Sequence, residues 1–281
     1  MSLSKISKIV LVHFFMTSVF AAADISLDYS VPQEDDKGNE ITETNFAAKY
    51  TYVLGKSDSE KSTYTLGGDL RYTELKFDEP LLGKLKLLKV KIPVGGTHVL
   101  GKNILKWTLT PGLHGQSDDF LSESEFRPEG NFIFIWPRTN LQWLLGAGFS
   151  DTFGETKIFP IFGVVWKLDE KSTLTLMFPQ IKYEYLTEAK NKYNFTVAPA
   201  GAQWQWKAGQ ILNNSEDVDV AISGIRFSVG GDFILNDSKY LYTNIGLVTN
   251  RKFEIHRHSN TSISGEQELV NSWFFQVGAR F

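Results

Sequence analysis

The chain contains no cysteine, which excludes disulfide staples and thiolate metal sites and leaves the redox compartment open. Beyond the N-terminus no apolar run approaches the ~18 residues that a membrane-spanning helix needs. No hydrophobic pattern of helical period marks a convincing helix after Asp24. No Gly-rich phosphate loop leads from a strand into a helix, and no calcium repeat is visible, so no cofactor is expected. Excess positive charge is missing too: 29 Lys and Arg stand against 32 Asp and Glu, a net charge of −3. A nucleic-acid partner would need a clustered basic surface and is not expected.

What is present is a hydrophobic period of two, with 14% aromatic residues and 23 glycines. Ile25, Leu27, Tyr29 and Val31 alternate with Ser26, Asp28 and Ser30. Phe46 to Leu54 and Tyr64 to Tyr72 alternate likewise and read as a hairpin about the turn Gly55–Ser59. Similar alternation runs through Leu88–Ile92, Trp107–His114, Phe132–Trp136, Leu141–Ser150, Leu174–Tyr185, Tyr193–Trp206, Ile225–Phe233 and Leu241–Leu247, whereas Ile158–Trp166 is apolar on both faces, as a strand packed against a filled interior would be. The apolar phase slips by one at Pro179 and again at Pro199, which suggests a β-bulge at each.

The first residues have the layout of a secretory signal. Lys5 and Lys8 precede the mostly apolar stretch Ile9–Phe20, and Ala21-Ala22-Ala23 precedes Asp24. Cleavage of residues 1–23 after Ala23 is expected, leaving 24–281 as one domain with 27 basic against 32 acidic side chains, −5. An exported chain that lacks spanning helices can cross a membrane only as a closed barrel, because an open sheet leaves backbone groups unpaired in lipid.

The last ten residues, Ser272–Phe281, carry this reading further. Phe281, Ala279, Val277, Phe275 and Trp273 share one strand face, and Arg280, Gly278, Gln276 and Phe274 the other. The pattern resembles the closing strand of a bacterial outer-membrane β-barrel, where a terminal Phe is part of the signal read by the barrel assembly machinery. Counting back from Phe281 gives an all-β, transmembrane, antiparallel up-and-down barrel of about 12 strands, with 10–14 in range, if Ile25–Val31 lies outside it. With the C-terminus periplasmic, the count makes the external turns at Pro137–Asn140 and Asp169–Lys171 very short. Trp and Tyr near strand ends, among them Tyr64, Trp166, Tyr185, Tyr193, Trp206 and Trp273, would form interfacial girdles.

If the apolar face meets lipid, the polar set lines the lumen: Lys49, Asp69, Arg71, Lys106, His114, Gln203, Gln205, Arg226, Asp232, Gln276 and Arg280. A strand-borne charge on the lipid face costs about 2–4 kcal/mol at mid-bilayer, so these side chains should point inward. They could form a polar pore or binding lumen, or merely fill and stiffen the barrel, as small barrels commonly do.

The segments Leu144–Ser150, Phe153-Gly154, Phe159-Pro160-Ile161-Phe162-Gly163 and Phe178-Pro179 resemble a bacterial family grouped as an uncharacterised outer-membrane β-barrel domain. Its glycine-bearing strand, Pro-x-x-Gly strand and proline-broken strand have counterparts here. The resemblance implies fold and compartment, and neither substrate nor catalytic residues. The expected role is a passive small-solute channel, a binding barrel or a structural protein of the outer membrane, with membrane lipids as partners. Two alternatives are a lipid hydrolase and a soluble periplasmic β-protein. His256-Arg257-His258-Ser259-Asn260 loosely resembles the His-x-Ser-Asn of barrel deacylases. His258 and Ser259 are adjacent, however, and would point to opposite faces of a strand. No catalytic or metal residue is assigned.

Overall fold

The computed structural model describes residues 21–31, 41–56, 61–77, 84–207, 217–236, 239–257 and 267–281. The strands are β1 (Ala21–Ser30), β2 (Ile41–Lys56), β3 (Ser62–Phe77), β4 (Lys84–Lys91), β5 (Val94–Leu100), β6 (Asn103–Thr110) and β7 (Gly112–Gln116). After one helical turn, α1 (Phe120–Glu123), come β8 (Glu125–Phe126), β9 (Glu129–Pro137), β10 (Leu141–Ser150), β11 (Lys157–Lys167), β12 (Ser172–Phe178) and β13 (Gln180–Leu186). The remainder is β14 (Lys192–Pro199), β15 (Ala202–Lys207), β16 (Asp217–Asn236), β17 (Lys239–Arg257), β18 (Gln267–Leu269) and β19 (Ser272–Arg280).

Pairing is antiparallel throughout and closes on itself, with β1 bonded to both β19 and β2. Five staves are interrupted: β4–β5, β6–β7, β8–β9, β14–β15 and β18–β19 each continue one line of the wall, so the described strands make a closed barrel of fourteen staves. Three of the breaks hold Pro93, Pro111 and Pro128, residues that cannot donate to a ladder. The ladder closes around them, with Gly67 N donating to Pro93 O (2.7 Å) and Ile92 N to Pro111 O (2.9 Å).

Two expectations change. Ile25–Val31 belongs to the barrel: residues 24–30 pair with Arg280–Phe274 along one edge and, through Tyr29, with Lys49–Thr44 along the other. The stretch about Pro179 is not one bulged strand. Met177 lies opposite Gln180, so Phe178-Pro179 is the tip of a tight hairpin. The count therefore rises from about twelve to fourteen. Every stave before Pro179 also reverses direction relative to the twelve-stave reading. The short turns at Pro137–Asn140 and Asp169–Lys171 consequently sit at the same end as both termini, where short turns belong.

The second slip, at Pro199, has a different cause. Even-numbered residues of this stave face inward on both sides of the break. Below it they are polar or small, Asn194, Thr196 and Ala198; above it they are Ala202, Trp204 and Trp206. The interior itself changes character at one level. On β3, Asp69, Arg71 and Thr73 give way to Leu75; on β4, Lys91 and Lys89 give way to Leu87 and Leu85; on β16, Arg226 gives way to Ile222, Val220 and Val218. A true bulge does occur in β17. Thr249 to Lys252 faces Ser223 to Ile225, Asn250 takes a positive φ of 51°, and Arg251, Phe253 and Ile255 turn inward beyond it.

The upper inward residues meet in one apolar cluster of Leu75, Leu85, Leu87, Trp204, Trp206, Val218, Val220, Ile222, Phe253, Ile255 and Leu269. Burying each such side chain contributes roughly 1.5–3 kcal/mol. Its position follows from unequal stave heights. β12 and β13 have 7 residues each, while β16 has 20 and β17 has 19. Where the short staves stop, β15 packs directly against β7 and β4 on the far side of the gap. The tall staves thereby close over the end remote from the termini.

The outer face is apolar at mid-strand. Leu145 is 56% exposed, Val229 58% and Ile245 56%, far more than a wall facing water would leave uncovered. Tyr64, Trp166, Tyr185 and Tyr193 are exposed near the turns at the terminal end, and Trp273 near the other. Trp206 is in the apolar cluster instead of a girdle.

Candidate functional site

Beneath the apolar plug lies a polar cavity of about 480 Å³. The alternation of β1, β2 and β3 sends Asp24, Ser26, Asp28, Asn45, Lys49, Asp69 and Arg71 into it, with Arg226 and Gln276 from β16 and β19. Exposure falls along its length. The side chains of Lys49 and Arg280 toward the terminal end are 51% and 44% exposed, whereas that of Arg251 beside the plug is 4% exposed. The cavity thus opens toward the terminal end and ends blindly at the plug.

Its charges are paired. Lys49 Nζ lies 3.7 Å from Asp69, Lys91 Nζ 2.6 Å from Glu129 and Arg251 Nη2 3.4 Å from Glu43. Arg226 bonds to Asp28 and lies over the Phe274 ring, 3.6 Å from its centroid. Arg280 Nε reaches Asp24 at 3.3 Å, and the Tyr242 hydroxyl donates to Asp24 Oδ1 at 2.6 Å.

A second, buried network ties β15 to the opposite wall. Lys89 pairs with Asp151, and the Gln203 backbone N donates to Asp151 Oδ2 at 2.9 Å. Arg127 donates to Asp219 at 2.6 Å, and Gln203 Nε2 to the other Asp219 oxygen at 3.2 Å. His114, wholly buried, donates from Nδ1 to the Gln203 carbonyl at 3.3 Å, leaving Nε2 without a partner. Asp151 follows the last residue of β10, outside the spanning strands. Burial pushes its carboxyl up, but Lys89 and the His114 ring, whose Nδ1 lies 3.5 Å from Asp151 Oδ2, outweigh burial and hold it well below the usual carboxylate range.

Of the residues nominated from sequence, Lys49, Asp69, Arg71, Arg226 and Gln276 line the cavity. His114 belongs to the buried network. Gln203 and Gln205 occupy the face of β15 opposite to Trp204, which lines the cavity, so neither borders it. Asp232 accepts from Arg280 Nη1 at 3.4 Å, below the cavity, and Lys106 is exposed and opposite Thr97 and Ile133. Lining residues that sequence reasoning passed over include Asp24, Asp28, Glu43, Glu129, Asp151 and Arg251. Asp28 was visible in the polar phase of Ile25–Val31, with Asp24 just before it, and both were lost when that stretch was set outside the barrel.

His114, Glu129 and Asp151 bring possible ligand atoms within 4.8 Å of one another. Lys91 and Lys89 already supply the positive charge that a cation would, so the group reads as an ion-pair network. In the loosely deacylase-like stretch, His256 Nε2 lies 2.6 Å from Glu254, while His258, Ser259 and Asn260 fall outside the described residues.

Known structures with a similar chain course are bacterial barrels. An outer membrane channel from Pseudomonas putida F1 superposes with a TM-score of 0.49 at 10% identity, over 94% of this chain and 97% of that one. A TodX monoaromatic hydrocarbon channel mutant gives 0.47 at 10% identity, over 94% and 90%. The outer membrane phospholipase A from Escherichia coli gives 0.38 at 9% identity, over 94% and 96%. No curated protein matches the chain. Residues 28–281 match the model of a domain of unknown function (DUF6268), and the chain belongs to that family.

Proposed function

We propose that this chain is an integral outer-membrane β-barrel whose lumen takes up small polar solutes from the periplasmic side. The observation that carries the reading is the contrast between faces: side chains exposed on the outer wall at mid-strand are apolar, while a polar cavity of about 480 Å³ runs inside. A closed barrel pairs every wall strand and can therefore reside in lipid. The terminal end, with its short turns, would face the periplasm, and the taller staves would project outward. Export would use residues 1–23 as a cleaved signal, and insertion the assembly machinery acting on the strand that ends at Phe281.

The plug makes the described conformation a closed one, so solute passage requires the tall staves to part. Washed outer membranes should contain the protein, with heat-modifiable migration on a gel. In planar bilayers, rare openings over a low baseline are expected. Recovery in the soluble periplasmic fraction, with identical migration boiled and unboiled, would sink the reading.

A further inference from the structure

Each carboxylate bordering the cavity has a cation of its own, and one cation is left over. Arg71 lines the cavity yet makes no hydrogen bond or ion pair among the described residues. Two further donors in the cavity lining are also unused: the indole N–H of Trp204, a residue only 2% exposed, and Nε of Arg226. All three groups are donors, and for the two buried ones, the Trp204 indole and Arg226 Nε, a missing acceptor is costly.

They gather in one region. Arg71 is register partner of Lys89, whose Nζ lies 4.7 Å from the centroid of the Trp204 ring. Asp28, which holds Arg226, is within electrostatic reach of Arg71. On its other flank Arg71 faces Ala47, a side chain too small to cover it. We propose that Arg71 anchors a binding site for a small monoanion, a carboxylate or a phosphate, with the Trp204 indole and Arg226 as additional donors. The planar guanidinium fork matches the paired oxygens of either group. A bound anion would also complete the charge balance of the lumen.

This rests on the reading of the lumen as a solute compartment, and the test separates the two. Folded protein in detergent, in chloride-free buffer of low ionic strength, is titrated calorimetrically with sodium acetate, sodium phosphate and acetamide, the neutral counterpart of acetate. Saturable binding of acetate or phosphate, absent for acetamide, is expected. Arg71→Gln should weaken it at least tenfold, and Arg71→Lys should keep part of it by retaining the charge without the fork. Equal binding of acetate and acetamide would overturn the anion site while leaving the solute lumen standing; so would undiminished binding of the anions by Arg71→Gln. No binding of any of the three would overturn both. Heat-modifiable migration checks that the variants fold, and if Arg71→Gln does not, the wild-type comparison of acetate with acetamide decides.

Discussion

Arg127 Nη2 and Asp219 Oδ1, 92 residues apart in the chain, meet at 2.6 Å where β15 and β16 close against the opposite wall. Both side chains are below a tenth exposed. Removing one partner of a buried pair leaves the other charge without compensation. Asp219→Ala is expected to destabilise the barrel by about 3 kcal/mol, the low end for such a change, because Arg127 keeps Glu125. The urea midpoint of the refolded barrel in vesicles measures this, and an unchanged midpoint would contradict it.

The plug should behave as a gate. Trp204→Ala removes the indole of the apolar cluster that borders the cavity, at a cost of about 3–5 kcal/mol. Bilayers containing this variant should open more often than those with the wild type. Matching conductance records would mean that the plug does not limit passage.

Acid should leave the latch at Asp151 intact over a wide range. Its folded carboxyl titrates below the unfolded value, so the stabilisation is complete above the ordinary value of about 3.9 and is lost only as pH falls through the lower folded value. Opening frequency should therefore be unchanged between about pH 7 and pH 5, whereas Asp151→Asn should raise it at neutral pH. A marked rise in wild-type openings across that interval would contradict the assignment.

The hairpin at Pro179 fixes the direction of every stave before it, and topology can be read on intact cells. A short epitope inserted after Pro179 should be labelled from outside. One inserted after Glu170 should be labelled only once the outer membrane is permeabilised. A twelve-stave barrel demands outside labelling at Glu170, so that result would restore it.

Much of the wall was legible because its outer face stays apolar along the strands, so alternation survives there. The polar phases of β2, β3 and β16 led directly to Lys49, Asp69, Arg71 and Arg226. What misled was the assumption that the inner face keeps one character. At Pro199 the apolar set moves from Tyr193, Phe195 and Val197 to Ala202, Trp204 and Trp206 with no change in which residues point inward. At Pro179 a similar shift in pattern marks a turn of two residues. Alternation alone cannot separate a dry interior from a bulge or a tight turn, because all three move hydrophobicity to the other parity. The network of Lys89, Asp151, Arg127 and Asp219 was hidden for another reason: it joins staves that are not neighbours in the wall.

The seam between β1 and β19 bears on how such a wall can be made. Ala23 N donates to Phe281 O at 3.1 Å, and Phe281 N donates back to Ala23 O at 2.8 Å. These rungs join residues at opposite ends of the described sequence, a very long loop closure. Without β19 in place, β1 has no partner on one side, and the wall is an open, apolar sheet with two unpaired edges. The closed wall therefore exists only once β1 and β19 are both in place, and the two edges are sealed in a single step.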